Sequence, residues 1–228
     1  MAKTVKNIDK PKTLDLYNSD REDFYKRMST EQKAMFNSIK KNIFTFCEST
    51  AGSGKTTVSV NALLDLLAEG KIAKIIYIQK PSERYLSQGY YPGTISEKTQ
   101  YLFTPFYDAL NTLGFFDSAI QEMEDSGMIQ CISDVALRGV NLKSAGVLVD
   151  ESENCDYHTL KLIFTRCDDQ CHVVSIGDIH QKDSRKSNSD FIAFCNYLAE
   201  KSFGQKVELT HNYRGAFSQA AEKFIFES

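Results

Sequence analysis

A run of nine mostly small residues, Ser49 to Thr57, constrains this chain more than any other part of its sequence. The run reads STAGSGKTT; it follows an apolar stretch, Ile43 to Cys47, and precedes a helical pattern, Val58 to Leu67. A strand, a Gly-rich turn, Gly-Lys-Thr and a helix, in that order, are the context of a phosphate-binding loop. The run therefore predicts a loop that binds polyphosphate between the first strand and its helix.

Each residue type in this loop has a physical role. The glycines let the backbone curl so that successive N–H groups converge, and the positive end of the following helix adds to that anion site. Lys55 supplies a cation for β- and γ-phosphates, and the Thr56 hydroxyl suits Mg²⁺. The full pattern G-x-x-x-x-G-K-[ST] begins with Gly where this chain has Ser49, so we expect a working loop with a slightly altered entrance. The candidate phosphate-binding residues are Thr50, Ala51, Gly52, Ser53, Gly54, Lys55, Thr56 and Thr57.

Short, continuous apolar strands alternate with helical patterns along the chain. The clearest are KIIYIQK (74–80), GVLVD (146–150) and CHVVSI (171–176). Such strands predict an α/β fold with a central, mostly parallel sheet that helices cover on both faces. Ligands of these sheets bind at the carboxyl ends of the strands. The other expected elements are strands at 43–48, 128–132 and 206–209, and helices at 29–40, 56–69, 96–113 (bent at Pro105), 117–125, 157–166, 189–201 and 215–226.

Length and composition favour one globular domain. The 228 residues, 42% apolar and 25% charged, predict a single domain at 21–228 after a loosely held arm at 1–20. The net charge of −3 gives no overall electrostatic reason to bind nucleic acid, although a local basic patch stays open. With no secretory pattern and no apolar run near the ~20 residues of a membrane span, we expect a cytoplasmic protein that does not enter a membrane. The six cysteines then read as free thiols rather than as disulfides or, at Cys167, Cys171 and His172, zinc ligands.

Two carboxylates follow the strand that ends at Val149. Asp150 is placed to hold Mg²⁺ together with Thr56, and Glu151 to polarise an attacking water. A solvated strand end is the alternative, and the phosphate loop about a hundred residues upstream favours the catalytic interpretation.

Other polar residues are weaker candidates for the same site. Gln181 follows the Gly177-Asp178 turn, where a neutral amide can contact γ-phosphate and water, or where the turn has no further role. Gln32, on the helix before the first strand, presents a donor and an acceptor that match adenine, or is an exposed helix residue. Three arginines are candidates for neutralising transition-state charge, from the same or a neighbouring subunit, or are surface residues: Arg138, Arg185 and Arg214.

Taken in order, these segments resemble the motifs of superfamily 1 helicases. They are Gln32, STAGSGKT (49–56), VDE (149–151), GDIHQ (177–181) and NYRG (212–215). The middle of the chain narrows the resemblance to the PhoH-like family. The segments that carry it are QKPSE (79–83), GYYPG (89–93), EK (97–98), PFYDAL (105–110), LRG (137–139) and DESEN (150–154).

The resemblance spans roughly residues 29 to 227 and has clear departures. Ser49 replaces Gly, Lys80 stands at a position usually held by Arg, and Glu153 replaces Gln. The ending HNYR (211–214) is closer to a helicase motif, and we expect no fused nuclease or RNA-binding domain of the kind some relatives carry, which would suit a short phage-encoded member. The resemblance implies one RecA-like P-loop NTPase domain, ATP hydrolysis with Mg²⁺, a homo-oligomeric ring, expected to be a hexamer, and a link to RNA or single-stranded nucleic acid.

Two functions stay open from the sequence. The first is an ATPase that acts on RNA or single-stranded DNA, using basic and aromatic residues that can stack on bases or instead pack the loop: Arg84, Tyr85, Tyr90, Tyr91, Lys98 and Tyr101. The second is a scaffold or regulator whose oligomeric state and partners depend on the bound nucleotide. A small-molecule kinase is disfavoured because the sequence shows no Arg-rich lid.

Overall fold

The computed structural model describes residues 15–80, 100–133, 137, 141–178 and 188–222. Three of the predicted site residues, Arg138, Gln181 and Arg185, lie outside these ranges, as does most of the aromatic segment at 84–101. Among the described residues, no helix is long and apolar enough to cross a membrane.

A six-stranded sheet forms the centre of the fold, and all of its pairings are parallel. The strand order is β3-β2-β4-β5-β1-β6. The strands are β1 (Phe44–Ser49), β2 (Lys74–Gln79), β3 (Ile129–Ser133), β4 (Ala145–Asp150), β5 (His172–Gly177) and β6 (Gly204–Leu209). Because β5 lies between β1 and β4, the carboxyl ends of these three strands meet at one edge.

Helices cover both faces of the sheet. They are α1 (Ser19–Arg27), α2 (Thr30–Lys41), α3 (Lys55–Ala68), α4 (Thr104–Thr112), α5 (Asp117–Asp125), α6 (Tyr157–Phe164), α7 (Asn188–Ala199) and α8 (Ala216–Glu222). Helices α2 to α5 pack in one apolar core with Ile75 and Tyr77 of β2. Helices α6 and α7 pack in a second core with Ile76 and Ile78 of the same strand. Successive strand residues thus face opposite cores, and this confirms the predicted RecA-like α/β fold.

Helix α1 is an element that the sequence analysis did not predict. It begins at Ser19, inside the interval assigned to the arm, after Asn18 caps it by accepting the Arg21 N–H at 2.9 Å. The Asn18 amide also donates to Leu113 O at 2.9 Å. Arg21 is 4% exposed and pairs with Asp65 of α3 at 2.6 Å. This mostly polar helix is thus held to the domain by specific polar contacts, and its Phe24 also packs against the apolar core.

The predicted helix at 96–113 is shorter in the structure. A 3₁₀ turn spans Gln100–Phe103, and α4 begins at Thr104, so Pro105 stands in its first turn. Proline is tolerated there because the first N–H groups of a helix have no partner within it. Pro105 therefore starts the helix rather than bending it, while residues 96–99 lie outside the described ranges.

All six cysteines are free thiols. His172, at the start of β5, hydrogen bonds through Nδ1 with Ile39 O at 2.9 Å. Within the described ranges, no group of three or more His, Cys, Asp or Glu side chains is arranged to hold a metal.

Candidate functional site

The loop between β1 and α3 has the backbone that its glycines predict. Gly52 and Gly54 have φ of +68° and +78°, in the left-handed region that favours glycine. Ser49, the departure from the pattern, is the last residue of β1 and is 4% exposed. Its hydroxyl donates to Gly177 O at 3.2 Å, so the serine ties β1 to β5 at the entrance of the loop.

The segment after β6 covers the loop. Thr50 N donates to Leu209 O at 3.1 Å, and Tyr213 N donates to Gly52 O at 2.9 Å. The segment is in turn held by Glu31 of α2, whose carboxylate accepts Thr210 N at 2.9 Å and Thr210 Oγ1 at 2.8 Å. These two hydrogen bonds lower the pKa of Glu31. The loop is thus supported from residues more than 150 positions away in sequence.

Replacing Gly52 with Ala is expected to destabilise the protein. A Cβ at Gly52 would come 2.5 Å from Asn212 Oδ1 and 2.7 Å from Arg214 Cγ. Gly70 is the matched control, because its φ is +70° and a Cβ there meets nothing within 4 Å. Gly70→Ala pays only the backbone cost of about 1 kcal/mol, and Gly52→Ala should cost about 1–3 kcal/mol more in the free energy of urea unfolding. Equal losses for the two variants would contradict the described contact between segment 209–214 and the loop.

Gln32 lies against the loop. Its Nε2 donates to Ser53 O at 2.9 Å, and its Oε1 accepts Ser29 N at 3.0 Å within the capping box of α2. The described contacts make Gln32 a support of the loop, and its contact with adenine stays a prediction.

The structure brings Thr56 and Asp150 together. Thr56 Oγ1 donates to Asp150 Oδ2 at 2.9 Å, and Asp150 is 2% exposed at the end of β4. Asp150 Oδ1 accepts the N–H of Glu151 at 2.8 Å. The buried Asp150 carboxylate at the end of β4 and the Thr56 hydroxyl in the first turn of α3 are therefore in contact, although β5 separates β4 from β1 in the sheet.

Tyr77 also contacts Asp150, and sequence reasoning missed it. Its hydroxyl donates to Asp150 Oδ2 at 2.9 Å from a fully buried ring on β2. Burial and the nearby Asp150 carboxylate raise the pKa of Tyr77 well above its usual value, so the phenol stays protonated. The available signal was a tyrosine at a core-facing position two residues before the end of a parallel strand.

Glu151 has an uncommon backbone conformation. Its φ is +47° and its ψ is 44°, a left-handed geometry that costs a non-glycine residue about 1 kcal/mol or more. Its Oε2 accepts Asn154 Nδ2 at 3.3 Å. This left-handed residue changes the direction of the chain directly after Asp150. The carboxyl groups of Asp150 and Glu151 therefore lie at different positions in the site.

Glu153 is a second residue whose role the sequence did not reveal. It is 6% exposed, and a Cβ at Gly177 would come 2.5 Å from its Oε2, so only glycine leaves room for this carboxyl group. Burial raises the pKa of Glu153 to about 8, and the charges of Asp150 and Glu151 act in the same direction, against Lys55. At neutral pH the group is therefore mainly a neutral acid beside the candidate site.

The residues present fit a nucleoside triphosphate with a divalent cation. The Ser53 hydroxyl is 1% exposed and has no hydrogen-bond partner among the residues that the structure describes. Gly54, the residue before α3, offers no side-chain cap, and a Cβ there would come within 3.0 Å of Gln32 Nε2. Hydroxyl and carboxylate oxygens such as those of Thr56 and Asp150 are the ligands that Mg²⁺ prefers.

The remaining predicted residues are placed at the margin of the loop. Arg214 is exposed, and its Cγ lies over Gly52 in the same chain. Thr57 lies in the first turn of α3, and Ala51 is partly exposed. His211 and Tyr213 form an edge-to-face pair with ring centroids 4.5 Å apart, and Tyr213 is 51% exposed. An aromatic surface therefore borders the loop on the side of Arg214.

The chain is similar in sequence to several known proteins. The PhoH-like protein of Bacillus subtilis is 32% identical over 155 residues, which cover 68% of this chain and 48% of that protein. The PhoH-like protein of Mycobacterium leprae is 31% identical over 152 residues, covering 67% and 43%. Protein PhoH of Escherichia coli is 28% identical over 146 residues, covering 64% and 41%. The matched region is thus less than half the length of each relative.

Among solved structures, the Pif1 helicase of Candida albicans aligns over 85% of this chain and 42% of its own, with a TM-score of 0.43 and 14% identity. The PhoH family, described as PhoH-like protein, matches residues 25–214. That match includes β1 to β6, the loop at 49–57 and the Asp150-Glu151 pair, so this chain belongs to the PhoH-like protein family.

Proposed function

We propose that this chain binds ATP with Mg²⁺ and hydrolyses it. The observation that carries the proposal is the 2.9 Å hydrogen bond between Thr56 Oγ1 and Asp150 Oδ2, at the head of a helix that follows a glycine loop. A hydroxyl that gives its hydrogen to a carboxylate keeps its lone pairs for a cation.

The chain's own residues supply the other parts of the reaction. Backbone N–H groups of the loop bind the phosphates, and Lys55 pairs with their charge. Mg²⁺ held near Thr56 and Asp150 would neutralise charge that develops on the phosphates. Glu151 orients the attacking water and accepts its proton, and Arg214 is close enough to the loop to act in the same subunit.

The aromatic pair supports a nucleobase site. Tyr213 is 51% exposed and its backbone N–H donates to Gly52 O, so its ring is the proposed surface on which a base attached to bound phosphates stacks. Gln32, with its amide at the loop, is the proposed reader of adenine.

We extend the proposal to a homo-oligomeric ring, a hexamer, that couples hydrolysis to RNA or single-stranded nucleic acid. Its support is the helicase-like order of motifs, together with Tyr101, an aromatic of the basic segment that is 44% exposed. In the competing proposal, a nucleotide-dependent scaffold or regulator, ATP controls the oligomeric state and the binding of partners, and nucleic acid has no effect on turnover.

The rate of ATP hydrolysis, measured with and without single-stranded RNA and DNA, tests both parts. We expect Mg²⁺-dependent phosphate release that nucleic acid stimulates. Release without stimulation by any nucleic acid would favour the scaffold, and the absence of both binding and release would remove the ATPase itself. Sedimentation with and without a non-hydrolysable ATP analogue reports whether nucleotide changes the oligomer.

A further inference from the structure

The carboxylate of Asp150 is held by more donors than Thr56 alone. Oδ2 accepts from Thr56 Oγ1 and from Tyr77 OH, each at 2.9 Å, and Oδ1 accepts the Glu151 N–H. A carboxylate has about four lone-pair positions, so three of them are used by the protein. The direction of Asp150 is therefore fixed from three elements, and Tyr77 is the donor from β2.

The Tyr77 ring is itself tightly fixed. It stacks on Phe106 of α4 with centroids 5.0 Å apart and meets Phe103 edge-on at 6.3 Å. Residue 77 pairs with Leu148 in register, and residue 79 pairs with Asp150, so the phenol reaches along β2 toward the end of β4. A rigid aromatic ring with one polar atom at its tip can set the position of a carboxylate more narrowly than a flexible side chain can.

The Tyr77 hydroxyl has a second neighbour. Gln79 Oε1 lies 3.0 Å away, and Gln79 is 5% exposed. A phenol has one hydrogen and cannot donate to both Asp150 and Gln79. Turning the amide of Gln79 by 180° makes its NH₂ a donor to the Tyr77 oxygen, which gives a continuous chain from Gln79 through Tyr77 to Asp150.

We propose that Tyr77 is a positioning residue for the divalent-cation site. Tyr77 holds Asp150 Oδ2 beside Thr56, so that the Thr56 hydroxyl keeps donating its hydrogen bond to the carboxylate. The lone pairs of the Thr56 hydroxyl then point away from Asp150, toward the cation. Gln79 supports the same function by fixing the direction of the phenol hydrogen. The inference rests on the proposed nucleotide site and adds a residue from a strand that carries none of the predicted site residues.

Tyr77→Phe tests the inference, because it removes only the hydroxyl and keeps the ring. Tyr107→Phe is the matched control: the Tyr107 hydroxyl also donates to a carboxylate, Glu124 Oε1 at 2.6 Å, and its ring packs against the same core away from Asp150. The readout is ADP affinity by calorimetry across a Mg²⁺ titration, with Mn²⁺ binding to the ADP complex followed by electron paramagnetic resonance.

We expect Tyr77→Phe to raise the Mg²⁺ concentration for half-maximal ADP binding about five- to tenfold, and to recover wild-type affinity at high Mg²⁺. Gln79→Met should shift the same midpoint about twofold, and Tyr107→Phe should leave it unchanged. An unchanged midpoint in Tyr77→Phe, or an equal shift in Tyr107→Phe, would overturn the inference. Wild-type ADP binding that does not depend on Mg²⁺ would also overturn the inference. If the wild type binds neither ADP nor ATP with Mg²⁺, the proposed function fails instead.

Discussion

Glu151→Gln is expected to lower ATP turnover about 10²–10³-fold while ATP binding stays close to that of the wild type. The substitution keeps the size and shape of the side chain but removes the carboxylate that we propose as the base for the attacking water. Neither the left-handed backbone at residue 151 nor the hydrogen bond from Asn154 requires a negative charge on the side chain. The local turn should therefore keep its structure in the variant.

Single-turnover phosphate release and equilibrium ATP binding, measured on the same preparations, separate the two effects. Glu200→Gln, an exposed position just after α7, is the control for the same chemical change. Glu151 would lose its assignment as the base if Glu151→Gln hydrolysed ATP at the wild-type rate. Loss of ATP binding in this variant would instead give Glu151 a role in holding nucleotide.

Glu153→Gln is expected to stabilise the protein above neutral pH. The pKa of Glu153 is about 8 in the folded chain against an ordinary value of 4.5, so the folded state binds a proton that the unfolded state releases. Stability from this group is complete below about pH 4.5 and is lost as the pH rises toward 8. Each pKa unit corresponds to about 1.4 kcal/mol, so the rise from 4.5 to about 8 should cost the wild type about 5 kcal/mol across this interval.

Denaturant unfolding of the nucleotide-free protein between pH 5 and 9 measures this loss. The neutral amide of Glu153→Gln should remove most of the slope, whereas Glu200→Gln should retain it. The charged neighbours that affect Glu153 are Lys55, Asp150 and Glu151, and all three remain in both variants. A wild-type slope that persists in Glu153→Gln would show that another group titrates.

The fold was predictable because its signals are local. Buried parallel strands such as Ile75–Ile78 are apolar on both faces, so they stand out as continuous runs. The conformation of the loop was predictable from Gly52 and Gly54, because the backbone has positive φ at both positions and glycine favours that conformation. The contact between Asp150 and Thr56 was predictable because Asp150 ends one strand and Thr56 follows another, and the carboxyl ends of both strands meet at one edge of the sheet.

The parts that sequence did not predict depend on contacts between distant residues. Helix α1 is mostly polar, and contacts with distant residues, such as the buried Arg21–Asp65 pair and the Asn18–Leu113 hydrogen bond, show why it docks. Tyr77 looks like an ordinary core aromatic until β2 and β4 are set in register. Likewise, no local pattern indicates that Asn212 and Tyr213 lie on Gly52, because that contact requires β6 to pair beside β1.

The most direct test of the central claim is phosphate release from ATP by the purified wild type, with Mg²⁺ and with EDTA. We predict steady release with Mg²⁺ that EDTA abolishes, because we propose that the loop at 49–57, through Thr56, forms one nucleotide and cation site with Asp150. Wild-type protein that neither binds nor hydrolyses ATP with Mg²⁺, or that hydrolyses it equally well in EDTA, would contradict the account.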